Sequence, residues 1–72
     1  MNVLIDLVES KPGWEVAVLE TAWYPARYYA GYVWFDLKAG EWRPDSNETQ
    51  LWHHEVESAR DAAKKIAAKA KE

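Results

Sequence analysis

The chain has 72 residues, with 12 acidic and 9 basic side chains, a formal net charge of −3 and no cysteine. A chain this short buries only about 60% of the surface that its unfolded form exposes, so residues 1–72 are expected to form one domain with a thin core. The missing cysteines exclude disulfides and thiolate metal sites, and the acidic balance opposes nonspecific binding to nucleic acid.

No segment predicts contact with a membrane. The apolar runs are much shorter than the roughly 18 residues that a membrane-spanning helix needs, and residues 1–9 lack the basic start of a signal peptide. Because the absence of cysteine also suits a reducing compartment, we expect a cytoplasmic protein.

The first part of the chain predicts strands and turns. Residues 2–9 (NVLIDLVE) and 14–21 (WEVAVLET) are rich in β-branched side chains and flank a turn at Pro12 and Gly13, so they predict a hairpin. A third strand is expected across residues 28–36. The following DLKAGE places Gly40 at a left-handed turn position and leads into a short fourth strand, EWR, which Pro44 closes.

The last part of the chain predicts a helix. Apolar residues recur with helical spacing at Trp52, Val56, Ala59, Ala63, Ile66 and Ala70. The start is ambiguous, because DSNETQ offers capping boxes near residue 48, whereas QLWHH can also form a short last strand. We expect the early start, which gives a sheet over about 2–43 and a helix over about 48–71.

These elements predict an α+β fold in which a three- to four-stranded antiparallel sheet carries one C-terminal helix on one face. Strand alternation directs one set of residues towards the helix, namely Val3, Ile5, Leu7, Val16, Val18, Val33 and Phe35. The opposite face is expected to carry Leu4, Asp6, Val8, Ala17, Leu19, Tyr28, Tyr32 and Trp34. A single helix covers only one face, so this second face is expected to lie open.

An open face of this composition exceeds the apolar patch of a few hundred Å² that soluble monomers usually show. It predicts a non-catalytic protein-interaction module that uses this face and the loop 22–29. The expected partner-binding residues are Leu4, Leu19, Trp23, Tyr24, Arg27, Tyr28, Tyr32 and Trp34. Two competing explanations are a strand register shifted by one residue, which exchanges the faces, and a loop that folds back over the aromatic side chains.

The expected partner is another protein with a basic or apolar groove, because residues 1–36 hold five acids against two basic residues. A second copy of the chain is the other expected partner. Small acidic domains without a catalytic constellation resemble, in type only, accessory or inhibitor proteins of bacteria and their phages.

Single-stranded nucleic acid is the alternative partner. Tyr28, Tyr32 and Trp34 would stack bases, and the lysines near the helix end would supply positive charge. Carboxylates on the strands around these aromatics oppose this function.

Neither a catalytic site nor a metal or cofactor site is predicted. His53 and Glu57 would share a helical face, but neighbouring His54 points about 100° away, and a zinc site needs three or four ligands. The serines show no histidine–carboxylate arrangement that would activate them as nucleophiles.

Overall fold

An antiparallel sheet and one helix make up residues 2–21 and 27–71, the parts of the chain that the computed structural model describes. The strands are β1 (Asn2–Lys11), β2 (Trp14–Thr21), β3 (Tyr28–Asp36), β4 (Glu41–Pro44) and β5 (Trp52–His53), and the helix is α1 (Val56–Ala70). The strand order is β1-β2-β3-β4, and β5 pairs with the first part of β3. The predicted α+β fold with a C-terminal helix is confirmed.

Both predicted turn glycines adopt positive φ. Gly13, between β1 and β2, has a φ of 95°, and Gly40, between β3 and β4, has a φ of 67°. The second turn is also held by Asp36, whose Oδ1 accepts hydrogen bonds from the backbone N–H groups of Lys38 and Ala39 at 3.0 and 3.2 Å. A side chain at either glycine would have to adopt the left-handed conformation that L-residues disfavour.

The helix begins at Val56, eight residues later than the predicted start at 48. Residues 49–51 form a 3₁₀ turn, and Trp52 and His53 form the short last strand, which was the other possibility left open by the sequence. This strand pairs with Tyr28 and Tyr29, an edge of β3 that β4 does not reach. The rings of Trp52 and Tyr29 pack with centroids 5.3 Å apart, and this contact favours strand over helix.

Two irregularities change which way the side chains of β1 point. The register against β2 shifts between Leu4 and Asp6 and again between Leu7 and Glu9, as it does at β-bulges. Consequently Ile5 and Val8 both pack on the side of the helix, whereas Leu7 pairs with Ala17, which belongs to the opposite cluster. The predicted directions of Asp6, Leu7 and Val8 are therefore wrong, because simple alternation fails across a bulge: Asp6 pairs with Val18 and reaches Arg60 of the helix.

The direction of β3 is also opposite to the prediction. Tyr32 pairs with Val16 and Ala30 pairs with Val18, and both valines pack against the helix. Val33, expected to face the helix, packs in the opposite cluster instead. The competing explanation of a one-residue shift applies to this strand, whose residues are apolar on both faces and so leave its direction unspecified.

The sheet curls around the face opposite the helix, and we call this the inner face and the helix-bearing one the outer face. Although β1 and β4 are not neighbours in the strand order, the backbone N–H of Asn2 donates to Glu41 Oε2 at 3.1 Å. The Asn2 side-chain amide also donates to the carbonyl oxygen of Trp42 at 3.2 Å. The first and fourth strands therefore meet.

Residues from every strand fill the enclosed inner face. They are Leu4, Ala17, Leu19, Tyr29, Val33, Trp42, Leu51 and Trp52. The expectation that nothing in the chain covers this face is wrong, because β4, the 3₁₀ turn and β5 close over it. Each Å² of apolar area that this cluster removes from water stabilises the fold by about 25 cal/mol, so closure of the curl is favourable.

The helix packs on the outer face through small side chains. Ala59, Ala63 and Ala67 are almost fully buried and contact a cluster that includes Val16, Val18 and Ala30. Alanine on both sides lets the helix backbone approach the sheet closely. Ion pairs along β1 also hold the helix, from Arg60 to Asp6 at 3.9 Å and from Lys71 to Glu9 at 2.8 Å.

Candidate interaction surface

The residues predicted to bind a partner do not lie on one surface. Leu19 is only 1% exposed and Leu4 packs beside it, so both belong to the inner face. Tyr28 is half-buried against the outer cluster. Tyr32 and Trp34 are 39% and 46% exposed. Of the predicted strand residues, these two are the ones that the fold leaves substantially accessible.

The predicted loop 22–29 is described only in part. Trp23 and Tyr24 lie outside the described residues. Arg27 is exposed, and its backbone N–H donates to Thr21 Oγ1 at 3.1 Å while its carbonyl oxygen accepts from the Thr21 backbone N–H at 3.0 Å. These two bonds bring together the end of β2 and the residue that precedes β3.

Three aromatic side chains form a patch on the outer face, beyond the area that the helix covers. Tyr32 and Trp34 are two residues apart on β3 and point to the same side. The ring of Trp14, from β2, meets the ring of Tyr32 edge-to-face, with centroids 6.2 Å apart and an interplanar angle of 84°. We call Trp14, Tyr32 and Trp34 the aromatic patch.

Arg43 extends the aromatic patch across to β4. It is the direct cross-strand partner of Trp34, so the two side chains lie on the same face. Its Nε donates to Asp36 Oδ2 at 2.8 Å, and its Nη2 lies 3.3 Å from Glu41 Oε1. The hydrogen bond from Arg43 lowers the pKa of Asp36 below its usual 3.8, so the pair is ionised at neutral pH. The guanidinium is thus held in one position beside the indole.

A pocket of about 260 Å³ opens next to Tyr32, at the stretch of β3 between its pairings with β5 and β4. Its lining includes Tyr29, Tyr32, Asp45, Glu48, Leu51 and Ile66. The backbone N–H of Asp45 donates to the carbonyl oxygen of Tyr32 at 3.0 Å, which attaches the acidic segment to the strand edge. Alternation within single strands predicts neither the position of Arg43 beside the aromatic patch nor this pocket.

The tip of the β3–β4 hairpin exposes further apolar side chains. Leu37, in the turn, is 87% exposed, and Phe35 is 42% exposed although it packs edge-to-face on Trp42. Phe35 alternates with Trp34 and therefore points away from the aromatic patch. The tip is a separate apolar surface.

The described residues contain no group of three histidine, cysteine, aspartate or glutamate side chains that could hold a metal ion. His53 lies on β5 and Glu57 in the first turn of α1, so they do not share the helical face that was considered for them. Buried side-chain nitrogen and oxygen atoms all have hydrogen-bond partners within 2–21 and 27–71. Over the same ranges, α1 is too short and too polar to cross a membrane, and no other α-helix is present.

Comparison of the chain with protein-family models, with curated proteins and with solved structures gives no match in any of the three.

Proposed function

We propose that the protein is a non-catalytic interaction module, of accessory or inhibitor type, that binds a basic surface of another protein through the aromatic patch and Arg43. The observation that supports this most is the exposure of Tyr32 and Trp34, at 39% and 46%, on the outer face of a sheet whose inner face is filled. The helix packs beside these rings without covering them.

The composition of the surface supports protein binding. Tryptophan, tyrosine and arginine are the residues that most often dominate the energy of protein–protein interfaces. Arg43 is already fixed by Asp36 and Glu41, and Tyr32 by its contact with Trp14. Side chains that are ordered before binding lose less conformational entropy when a partner docks.

The charges around the patch favour a basic partner over a second copy. Four carboxylates flank the aromatic rings, on Asp36, Glu41, Asp45 and Glu48, and Arg43 pairs with only the first two. A two-fold dimer would place the same surface against itself and bring these carboxylates together. Juxtaposed like charges oppose association, whereas lysine or arginine on a partner would be attracted.

The same carboxylates oppose single-stranded nucleic acid, the alternative partner. Base stacking on Tyr32 and Trp34 needs cations that follow the phosphate backbone, and Arg43, the cation beside Trp34, is already paired with Asp36 and Glu41. Tyr28, the third ring considered for stacking, packs against the helix cluster.

Selection of binders from a library of random peptides tests the proposal without a known partner. We expect selected peptides to be rich in lysine or arginine next to an apolar residue. Trp34→Ser should weaken their binding by about tenfold or more, as is typical for loss of a dominant interface residue. Leu37→Ser is the matched control, because it removes a more exposed apolar side chain from the same hairpin without touching the patch.

Equal binding of the selected peptides by the Trp34→Ser variant would contradict the proposal. Sedimentation analysis should find the wild-type protein monomeric. A dimer that dissociates in the Tyr32→Ser and Trp34→Ser variants would instead assign the patch to self-association. Titration with a labelled oligonucleotide at low salt should show no binding, and binding that weakens steeply with added salt would support the nucleic-acid alternative.

A further inference from the structure

The pocket beside Tyr32 is large enough to admit one long side chain. Its volume of about 260 Å³ lies below the roughly 300–1,000 Å³ that is usual for sites holding whole small-molecule ligands. It adjoins the aromatic patch because Tyr32 belongs to both. A protein docked on the patch would therefore lie over the pocket mouth.

The walls of the pocket are mainly apolar. Leu51 from the 3₁₀ turn, Ile66 from α1, Tyr32 and the buried Tyr29 line it. Such walls suit the hydrocarbon stem of a long side chain, which loses contact with water on entry.

The same pocket is also lined by two acidic residues, Asp45 and Glu48, from the segment between β4 and the 3₁₀ turn. Among the described residues neither carboxylate forms an ion pair, and Glu48 Oε2 accepts a hydrogen bond from Gln50 Nε2 at 3.3 Å. The lysines in the last turns of α1 do not line the pocket. Two carboxylates without a cationic partner give the pocket a negative potential.

We infer that this pocket binds a lysine side chain of the partner protein, with the alkyl stem between Leu51, Ile66 and Tyr32 and the ammonium group at Asp45 and Glu48. This inference rests on the proposed function, because it assigns the partner's side chain that enters beside the aromatic patch. A lysine fits both halves of the site, since its stem is apolar and its head is a compact cation. The face of Tyr32 can add a cation–π contact.

The environment of Tyr29 agrees with a negative field at this position. Burial raises the pKa of its hydroxyl, hydrogen bonding to the backbone of Asp45 and Ser46 partly offsets this, and the carboxylates of Asp45 and Glu48 raise the pKa as well. Both acidic side chains therefore act electrostatically on a residue that lines the pocket.

Titration with a short blocked peptide, acetyl-Gly-Lys-Gly-amide, tests the inference by ¹H–¹⁵N NMR. The control peptide carries norleucine, which keeps the alkyl stem and removes the charge. We expect the lysine peptide to shift the amide signals of Gly31, Tyr32, Leu51 and Ile66 with millimolar affinity, and the norleucine peptide to bind at least several-fold more weakly. Added salt should weaken binding of the lysine peptide, because salt screens the attraction between its ammonium group and the carboxylates of an open pocket.

The Asp45→Asn/Glu48→Gln double variant should lose the preference for lysine, and both substitutions keep side-chain size at exposed positions. The Glu57→Gln/Asp61→Asn double variant removes the same charge from the exposed face of α1, and it should retain the preference. Equal binding of lysine and norleucine, or no shift at the lining residues, would overturn the inference. Neither result would contradict the proposed function, whose test depends on Trp34, a residue outside the pocket.

Discussion

The hydroxyl oxygen of Tyr29 lies only 2.9 Å from the position that a Cβ atom would occupy on Gly31. The tyrosine ring runs along the inner face beneath β3, and its hydroxyl donates to the carbonyl oxygen of Tyr32 at 2.8 Å. Gly31 has an ordinary extended backbone, so the glycine is required here for space and not for conformation. This contact connects the inner cluster to the pocket and to the patch residue Tyr32.

Gly31→Ala is expected to destabilise the protein by about 1–3 kcal/mol, because the new methyl group would overlap the buried hydroxyl of Tyr29. Urea denaturation of wild type and variant measures this change. Tyr29→Phe removes the oxygen but also a buried hydrogen bond, at a cost of about 1 kcal/mol.

The double variant distinguishes this explanation from a general preference for glycine. If the overlap with the hydroxyl is the cause, the Gly31→Ala/Tyr29→Phe double variant should lose less stability than the sum of the two single losses. The difference should be at least about 0.5 kcal/mol. Additive effects would show that the methyl group meets something else.

Alkaline pH should destabilise the protein through Tyr29. Burial raises the pKa of its hydroxyl above the ordinary value of 10.0, so the folded state holds the proton more tightly than the unfolded state. Its contribution to stability is therefore fully present below pH 10.0 and is lost as the pH rises towards the folded-state pKa. NMR titration of the Tyr29 Cζ signal should give a midpoint above 10.0, and Tyr29→Phe should flatten the alkaline loss of stability. A midpoint at or below 10.0 would contradict the burial of this hydroxyl.

Acid should weaken the protein through two surface ion pairs. The hydrogen bond from Lys71 lowers the pKa of Glu9 below its usual 4.5, and the one from Arg43 lowers the pKa of Asp36 below 3.8. The folded state favours the deprotonated form of both carboxylates. Their contributions to stability are therefore present above the ordinary pKa values and are lost as the pH falls through the folded-state pKa values.

Two substitutions provide controls for each other in this titration. NMR should show that Lys71→Gln moves the midpoint of Glu9 upwards and leaves Asp36 unchanged, while Arg43→Gln does the reverse. The two sites lie in different parts of the fold, at the end of α1 and in the β3–β4 hairpin. A variant that moves both midpoints would indicate a change in the whole fold and not loss of one ion pair.

Two tryptophans should respond very differently to truncation. Trp52 packs on Tyr29 in the inner cluster, so Trp52→Ala should cost about 3 kcal/mol. Trp34 is exposed on the outer face, and Trp34→Ala should cost less than about 1 kcal/mol. Urea denaturation compares the two. The reverse order of stabilities would show that the patch, and not β5, belongs to the core.

Ala30 tests the direction of β3. It is fully buried against the helix, so Ala30→Leu should overpack the interface and cost about 1–3 kcal/mol. Ala68→Leu, on an exposed position of α1, is the control and should have little effect. Thermal unfolding followed by circular dichroism measures both. Tolerance of leucine at position 30 would favour the opposite direction, which alternation alone had predicted.

Much of the fold is readable from local sequence signals. β2 and β3 have the predicted bounds, Gly13 and Gly40 occupy the turns, and the alanine-rich helix follows the sheet. These features depend on β-branched residues, turn chemistry and helical spacing, which act over a few neighbouring positions.

The curl and the faces depend on contacts between distant residues. The bulges of β1 exist only against the register of β2, and Asn2 reaches Glu41 only when the sheet closes. Within the predicted site, Tyr32 and Trp34 are accessible. Leu4 and Leu19 are enclosed, because the curl fills the face that was expected to be open.

The strand β2 is a wall common to two cores. Val16 and Val18 face the helix while Ala17 and Leu19 face the interior of the curl, and all four are at most 1% exposed. Removal of the helix would expose one side of this wall and opening of the curl the other, so neither layer has a stable existence without its neighbour. The molecule should thus melt in a single cooperative step, with the slowest hydrogen exchange at the amides of β2.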